Sequence, residues 1–346
     1  MNFASDNAAG AAPGILEAIV RANEGTAGSY GADAITAHVT EKLSALFERK
    51  VAYLPVATGT AANSLALATL VPPHGAVFCH EGAHLNVDEC GAPEFFSGGA
   101  KLVALKGKSA KLTPEAIAPA LARLPRGVVH HPQPAAISIT QATELGTSYT
   151  EAEVAALGTF AKREKLALHM DGARFANALA HLKCKPADIT WKAGVDALSF
   201  GVTKNGALAA EAVIFFDPAQ AQDFQYRRKR AGHLFSKMRF VSAQFEAMLE
   251  NDLWLKLARH ANAMATHLAQ GLRAIEGFTI AEPVEGNEVF AKFPSPAKAK
   301  ALQDAGAKFY EWEPTIDNRP LIRLVCSWAT KEADVDRFLG LARTKM

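Results

Sequence analysis

The sequence predicts an α/β protein: a large domain on a mostly parallel sheet, followed by a smaller α+β domain. Three observations carry this. Short apolar runs alternate with helix-length segments up to about residue 240, the pattern of strands joined by helical crossovers. Two of those runs stop abruptly in reactive side chains. Residues 166–174, LALHMDGAR, end in Asp171 and Arg174, and residues 198–206, LSFGVTKNG, end in Thr203, Lys204 and a glycine turn. Ligands of open α/β sheets bind beyond the carboxyl ends of the strands, so both runs point at one site. After a long helical stretch at 240–276, short strands at 278–280, 288–293 and 321–325 mix with helices from Ala297 and from Glu332. The expected division is therefore 1–240 for the large domain and 241–346 for a linking helix with the small domain.

Composition narrows the function classes. The chain has 346 residues, 49% of them apolar, enough for a sizeable core and two domains. Thirty-seven Lys and Arg against 35 Asp and Glu give a formal charge of +2. That balance argues against a dedicated nucleic-acid or membrane-surface protein. Cys79, Cys90, Cys184 and Cys326 form no CxxC pair and no zinc-spaced cluster with histidines. No disulfide framework and no metal are expected, and a reducing cytoplasm fits. Neither a signal segment nor a membrane-length apolar run is expected.

Taken in order, the chain opens on Phe3-Ala4-Ser5-Asp6-Asn7, then a short helix from Ile15 and a glycine-rich loop, GTAGSYG, around Tyr30. Ile35, Val39, Leu43 and Leu46 fall at helical spacing within 33–49. A strand at 51–56 runs into TGTAAN, where Gly59 and Thr60 begin a helix. Free N–H groups and the positive dipole end suit a phosphate there, although a plain helix cap explains the residues equally well. A strand at 76–80 leads to His84 and Asp88, too few ligands for a metal site. The segment 89–102 should close a turn beneath the site. Thr113-Pro114-Glu115 starts a helix. His130 and His131 approach the site on an extended chain, so at most one reaches it. A strand at 136–139 precedes QATE, residues 141–144, and Thr150 with Glu153 forms a capping box. Another buried strand lies at 212–217. Arg227-Arg228-Lys229-Arg230 is a charge run whose default reading is a solvated face. Arg323 lies inside an apolar run, and burying it calls for an anion, either a structural carboxylate or a ligand's.

A lysine at a strand end is usually a solvated charge. The pairing of HMDGAR with a Thr-Lys strand end is more specific. It resembles the low-specificity L-threonine aldolases and their phenylserine aldolase relatives, fold-type I enzymes that use pyridoxal 5'-phosphate (PLP). The resemblance runs along nearly the whole chain. It implies the aspartate-aminotransferase fold and a Schiff-base link from Lys204. Asp171 would sit on the ring nitrogen, Arg174 on the ring oxygen, and Gly59, Thr60 and Thr203 on the phosphate. His84 would stack on the ring, with Asp88 orienting its imidazole. Ser5, Tyr30, Arg174 and Arg323 would meet the substrate, and Lys229 and Arg239 are candidates for the phosphate. The family's histidine pattern places His130 in the site. Many of these aldolases carry ENTH where this chain has QATE, so a catalytic His often assigned there is replaced by Glu144.

The implied reaction breaks Cα–Cβ of a β-hydroxy-α-amino acid to give glycine and an aldehyde. His84 or His130, directly or through water, would take the β-hydroxyl proton. The same scaffold could run transamination or β- or γ-elimination, or bind PLP without turnover. Fold-type I enzymes build their sites across subunit interfaces, so a homodimer or homotetramer with shared sites is expected. Tyr30, Lys229 or Arg239 would then act on a neighbour's site.

Overall fold

The computed structural model describes residues 1–316 and 319–344. Seven strands make the large sheet: β1 (Ala52–Val56), β2 (Gly75–His80), β3 (Lys101–Leu105), β4 (Gln133–Thr140), β5 (Ala167–Gly172), β6 (Ala197–Gly201) and β7 (Glu211–Phe215). Their spatial order is β1-β7-β6-β5-β4-β2-β3. β7 pairs antiparallel with both β1 and β6, and all other pairs are parallel. Six strands therefore end at the same edge, with β7 alone running the other way. A second sheet, in the order β10-β11-β9-β8, uses β8 (Thr279–Ile280), β9 (Glu288–Lys292), β10 (Tyr310–Ile316) and β11 (Arg319–Val325).

The helices before β6 are α1 (Pro13–Ala22), α2 (Ala34–Leu46), α3 (Gly59–Leu70), α4 (His84–Val87), α5 (Ala92–Ser97), α6 (Pro114–Ala122), α7 (Glu151–Arg163) and α8 (Phe175–Leu182). Those after β7 are α9 (Gln222–Arg230), α10 (Arg239–Leu249), α11 (Leu253–Arg273), α12 (Pro296–Asp304) and α13 (Glu332–Arg343). Their starts are chemically marked. Thr150 and Glu153 make the expected capping box on α7, and Asp33, Thr58, Thr113 and Ser295 cap α2, α3, α6 and α12. Among the described residues, no helix is long and apolar enough to cross a membrane.

Three features differ from the sequence reading. The stretch 240–276 is two helices, because Asn251 and Asp252 take left-handed conformations (φ 50° and 56°) and break the run. The turn expected after Glu89 holds a helix and an edge strand, α5 and β3. β3 carries the apolar run Leu102–Leu105 but buries none of its residues fully, as befits the edge of the sheet. β10, rich in charge at its start, was likewise missed.

The main apolar cluster packs helices against the large sheet and includes Phe175, Phe200, Phe245 and Trp254. A second cluster joins the C-terminal half of α11, the small sheet and α13, and it takes in Phe3 from the N-terminal segment. Helix α11 thus contributes Trp254 and Ala258 to one core and Ala265, Leu268 and Leu272 to the other.

Within the sheet, His169 ties three strands together. It is fully buried, with Nδ1 2.9 Å from Ser138 Oγ on β4 and Nε2 2.9 Å from Ser199 Oγ on β6. Burial lowers its pKa from 6.5 to about 4, so it stays neutral. The unfolded chain takes up a proton below 6.5 that the folded chain refuses, so His169 costs stability as pH falls from 6.5 toward 4. Urea melts across that window should show the slope, and His169→Gln should flatten it. His169→Ala should lower stability by about 2–4 kcal/mol at neutral pH.

Candidate active site

Because six strands end together, the residues that follow β1, β2, β4, β5 and β6 meet in one cavity of about 740 Å³. After β1, Thr58 caps α3 by accepting from the Ala61 amide at 3.1 Å. The first residues of α3, Gly59 and Thr60, line the cavity, and their N–H groups have no acceptor within the helix. After β2, a tight turn delivers His84 on α4. The β4 loop delivers Glu144. Asp171 is the penultimate residue of β5, and Arg174 follows two residues after the strand ends. Lys204 follows β6 by three residues, and Glu211 opens β7. Gly201 makes this approach possible: a Cβ there would lie 2.7 Å from Glu211 Oε2 and 2.9 Å from the Ala173 Cα. Gly206 (φ +109°) then turns the chain away against Trp328. From the small sheet come Glu288, Trp312 and Arg323.

Asp171 is buried and fully engaged. Its Oδ2 accepts from Asn63 Nδ2 at 2.7 Å and its Oδ1 from the Ala173 amide at 3.0 Å. Asn63 also donates to Glu89 Oε1 at 2.8 Å. Glu89 in turn holds His84 Nδ1 at 2.8 Å. The Glu89 hydrogen bond is the main reason the His84 pKa lies above its ordinary value, despite partial burial. The carboxylate that orients His84 is therefore Glu89, not Asp88. Asp88 is exposed at the rim and meets His84 only through its backbone amide. The register of a short helical turn explains the shift: the chain leaves α4 at Asp88, and only the following residue turns inward.

Arg174 is pinned. Its Nε and a terminal nitrogen donate to the two oxygens of Asp6, at 2.8 and 3.1 Å, and its other nitrogen is 3.4 Å from Glu288. Burial alone would raise the Asp6 pKa, but Arg174 and Lys204 outweigh it and hold that carboxyl below its usual range. Arg323 lies 3.9 Å from Glu288 and stacks 4.7 Å over the Trp312 ring, yet its buried Nε has no partner. Burial raises the pKa values of Glu144 and Glu211 to about 7.

Lys204, His84, Asp171, Gly59, Thr60, Thr203, Arg174, Ser5 and Arg323 all line the cavity, as does Asp88 at its rim. His130 does not. It is exposed ahead of β4, whereas Thr140 at the far end of that strand lines the cavity. Seven residue steps at about 3.3 Å separate the two ends of β4, so His130 lies roughly 20 Å or more from the chemistry. Tyr30, Lys229 and Arg239 also stay outside. They gather around the 25–30 loop instead, with Lys229 Nζ 4.9 Å over the Tyr30 ring and Arg239 reaching toward the Gly25 carbonyl at 3.4 Å. Sequence reasoning missed Asp6, Asn63, Glu89, Glu211 and Glu288. Asn63 sat inside TGTAAN, and Asp6 beside Ser5, so only the side-chain direction was lacking.

The donor set fits PLP. A strand-end lysine would meet the aldehyde, and a hydrogen-bonded buried carboxylate would meet the ring nitrogen. A capped helix N-terminus with free amides would take the phosphate, and an arginine with an unpaired nitrogen would remain for a carboxylate. This sheet order and this constellation define a fold-type I PLP-dependent lyase. The β-eliminating lyase family matches residues 2–295. A low-specificity L-threonine aldolase from a Pseudomonas species is 45% identical over 344 residues, covering 99% of this chain and 97% of the relative. That of Pseudomonas aeruginosa is 45% identical over 341 residues, covering 99% and 96%. The solved structure of Leishmania major threonine aldolase superposes with a TM-score of 0.93 at 30% identity, covering 99% of this chain and 98% of that one. The chain belongs to the low-specificity L-threonine aldolase family.

Nuclear magnetic resonance titration of His84 checks the assignment of its partner. Glu89→Gln should bring the imidazole pKa down toward its ordinary value, while Asp88→Asn should leave it where it is in the wild-type protein.

Proposed function

We propose that the protein cleaves L-threonine, L-allo-threonine or related β-hydroxy-α-amino acids such as phenylserine to glycine and an aldehyde. The observation that carries this reading is Arg323, a half-buried arginine with an enclosed, unpartnered Nε that lines the same cavity as Lys204. A buried donor without an acceptor is costly, and an amino acid's carboxylate would satisfy it. Lys204 would hold the cofactor aldehyde, and Asp171, oriented by Asn63 and the Ala173 amide, would hold a proton on the ring nitrogen. Gly59, Thr60 and Thr203 would take the phosphate. His84 would lie against the ring in the orientation Glu89 gives it. When bound, PLP supplies the electron sink that makes a Cα bond breakable. Arg323, with Ser5 and Arg174, would fix the substrate carboxylate and so choose which Cα bond stands perpendicular to the ring.

We further propose that Tyr30, Lys229 and Arg239 serve the cavity of a neighbouring copy in a homodimer or homotetramer, since all three lie outside their own. The cofactor would be carried by residues 1–240 and closed over by 241–346. Four free thiols suit a cytoplasmic protein.

The PLP-loaded protein is expected to yield acetaldehyde from L-threonine and benzaldehyde from phenylserine, each with one equivalent of glycine. Ammonia or amino-group transfer instead would move it to the elimination or transaminase branch. Lys204→Ala should lose the near-visible absorption of the bound cofactor. Arg323→Ala should lower kcat/KM by about tenfold to a hundredfold, mostly through KM. Mixed assemblies test the shared site. If Arg239 serves a neighbour, a Lys204→Ala subunit combined with an Arg239→Ala subunit should recover activity that neither shows alone.

A further inference from the structure

We infer that Glu144 is the catalytic residue that takes the β-hydroxyl proton as Cα–Cβ breaks. The inference rests on the aldolase reading above. Glu144 lines the cavity together with Lys204, Asp171, His84 and Arg323. Its two oxygens are placed differently. Oε1 is anchored, accepting from Thr140 Oγ1 at 2.6 Å and from the His84 amide at 3.1 Å. Oε2 is shut off from solvent and has no protein partner. One oxygen is therefore fixed by the strand end and the α4 turn, and the other is left without a partner in the wall of the cavity.

The other candidates fail on geometry or on charge. His130 lies at the opposite edge of the sheet. His84 has Nδ1 committed to Glu89, and that bond biases the imidazole toward its protonated form, a donor. Burial raises Glu144 to about 7, which leaves a carboxylate basic enough to accept a proton near neutral pH. The titratable groups around it are Asp171 from β5, His84 from α4, Cys79 from β2, and Tyr149 from the loop after β4. Asp171 reinforces the rise, while the Thr140 hydroxyl and the His84 amide oppose it. Cys79, raised to about 12 by burial, and Tyr149, raised further still, remain neutral.

The step balances. The O–H electron pair becomes the second bond of the aldehyde carbonyl, and the proton moves to Glu144 Oε2. The Cα–Cβ pair stays with Cα, which regains a proton from solvent by way of Lys204. Glu144 returns its own proton to solvent, so the sum is amino acid to glycine plus aldehyde.

Glu144→Gln keeps the shape and the Oε1 acceptor and removes the base. On the PLP-loaded protein we expect kcat for L-threonine to fall by about 10²–10⁴-fold with KM within a few-fold, and the acidic limb of the wild-type kcat profile to vanish. The near-visible cofactor band should persist in the variant. Glu144→His, which supplies a different acceptor, should recover part of the rate together with an acidic limb. Infrared difference spectra of the wild type should show protonated-carboxyl absorption from Glu144 and Glu211 that fades as pH rises through about 7, and Glu144→Gln should lose the Glu144 component while the Glu211 component stays. Wild-type kcat with its acidic limb intact in Glu144→Gln would overturn the inference alone. So would loss of the cofactor band in that variant, which would mark a structural role. Failure of the wild-type protein to release any aldehyde would overturn the aldolase reading and this inference with it.

Discussion

The Asp6–Arg174 pair is the constraint on which the architecture of the site depends. It joins three parts of the chain that share no strand. Asp6 belongs to the N-terminal segment, whose neighbour Phe3 is packed in the C-terminal core. Arg174 follows β5 of the large sheet. Asn287, just before β9, donates to Asp6 Oδ2 at 3.0 Å, and Glu288 faces Arg174 at 3.4 Å. Both charges are nearly dry, with side-chain exposures of 1% and 12%. Removing one member of such a pair leaves an uncompensated buried charge and costs about 3–5 kcal/mol. The small sheet is thus held against the strand ends by the same groups that border the cavity, and the position of Arg323 on β11 follows from that attachment.

The cavity's charge inventory is uneven. Lys204, Arg174 and Arg323 face Asp6, Asp171, Glu89, Glu144, Glu211 and Glu288. Six charged acids, five of them buried, against three cations would be untenable next to an anionic phosphate and carboxylate. The structure resolves this by sorting the acids. Asp6 is kept charged by Arg174. Burial pushes Glu144 and Glu211 up to about 7, and raises Glu89 and Glu288 against the opposing pull of His84 and Arg174. Carboxyls that can take up a proton near neutral pH, Glu144 and Glu211, leave room for negative ligands without removing hydrogen-bonding capacity. The acids with raised pKa values border the cavity, where protons have to move.

Much of this was legible in the sequence, for a physical reason. In a parallel sheet the reactive residues fall immediately after apolar runs, so LALHMDGAR and LSFGVTKNG announce strand, edge and chemistry in one stretch. The capped start of α3 was equally plain. What was not legible depends on side-chain direction across elements. Glu89 and Asp88 are adjacent, and only the exit angle of α4 decides which one meets His84. His130 was misplaced because the family's histidine pattern was followed although the residue precedes β4, at the end of the strand away from the site. Glu288 and Asp6, 282 residues apart, meet only through folding. Tyr30, Lys229 and Arg239 are a different case. They gather around one loop, outside their own chain's cavity.

The length of β4 has a further consequence for how the molecule tolerates alteration. The turn ahead of it is closed on itself by Gln133, whose side chain accepts from the Gly127 amide and donates to the Val128 and His131 carbonyls. Its tip, Val129, is 91% exposed, and an entire strand length insulates it from the catalytic edge. Such a tip is where a chain can be lengthened, tagged or nicked with little effect on the rest. The protein therefore offers a handle on one rim of its sheet that is mechanically remote from the chemistry on the other.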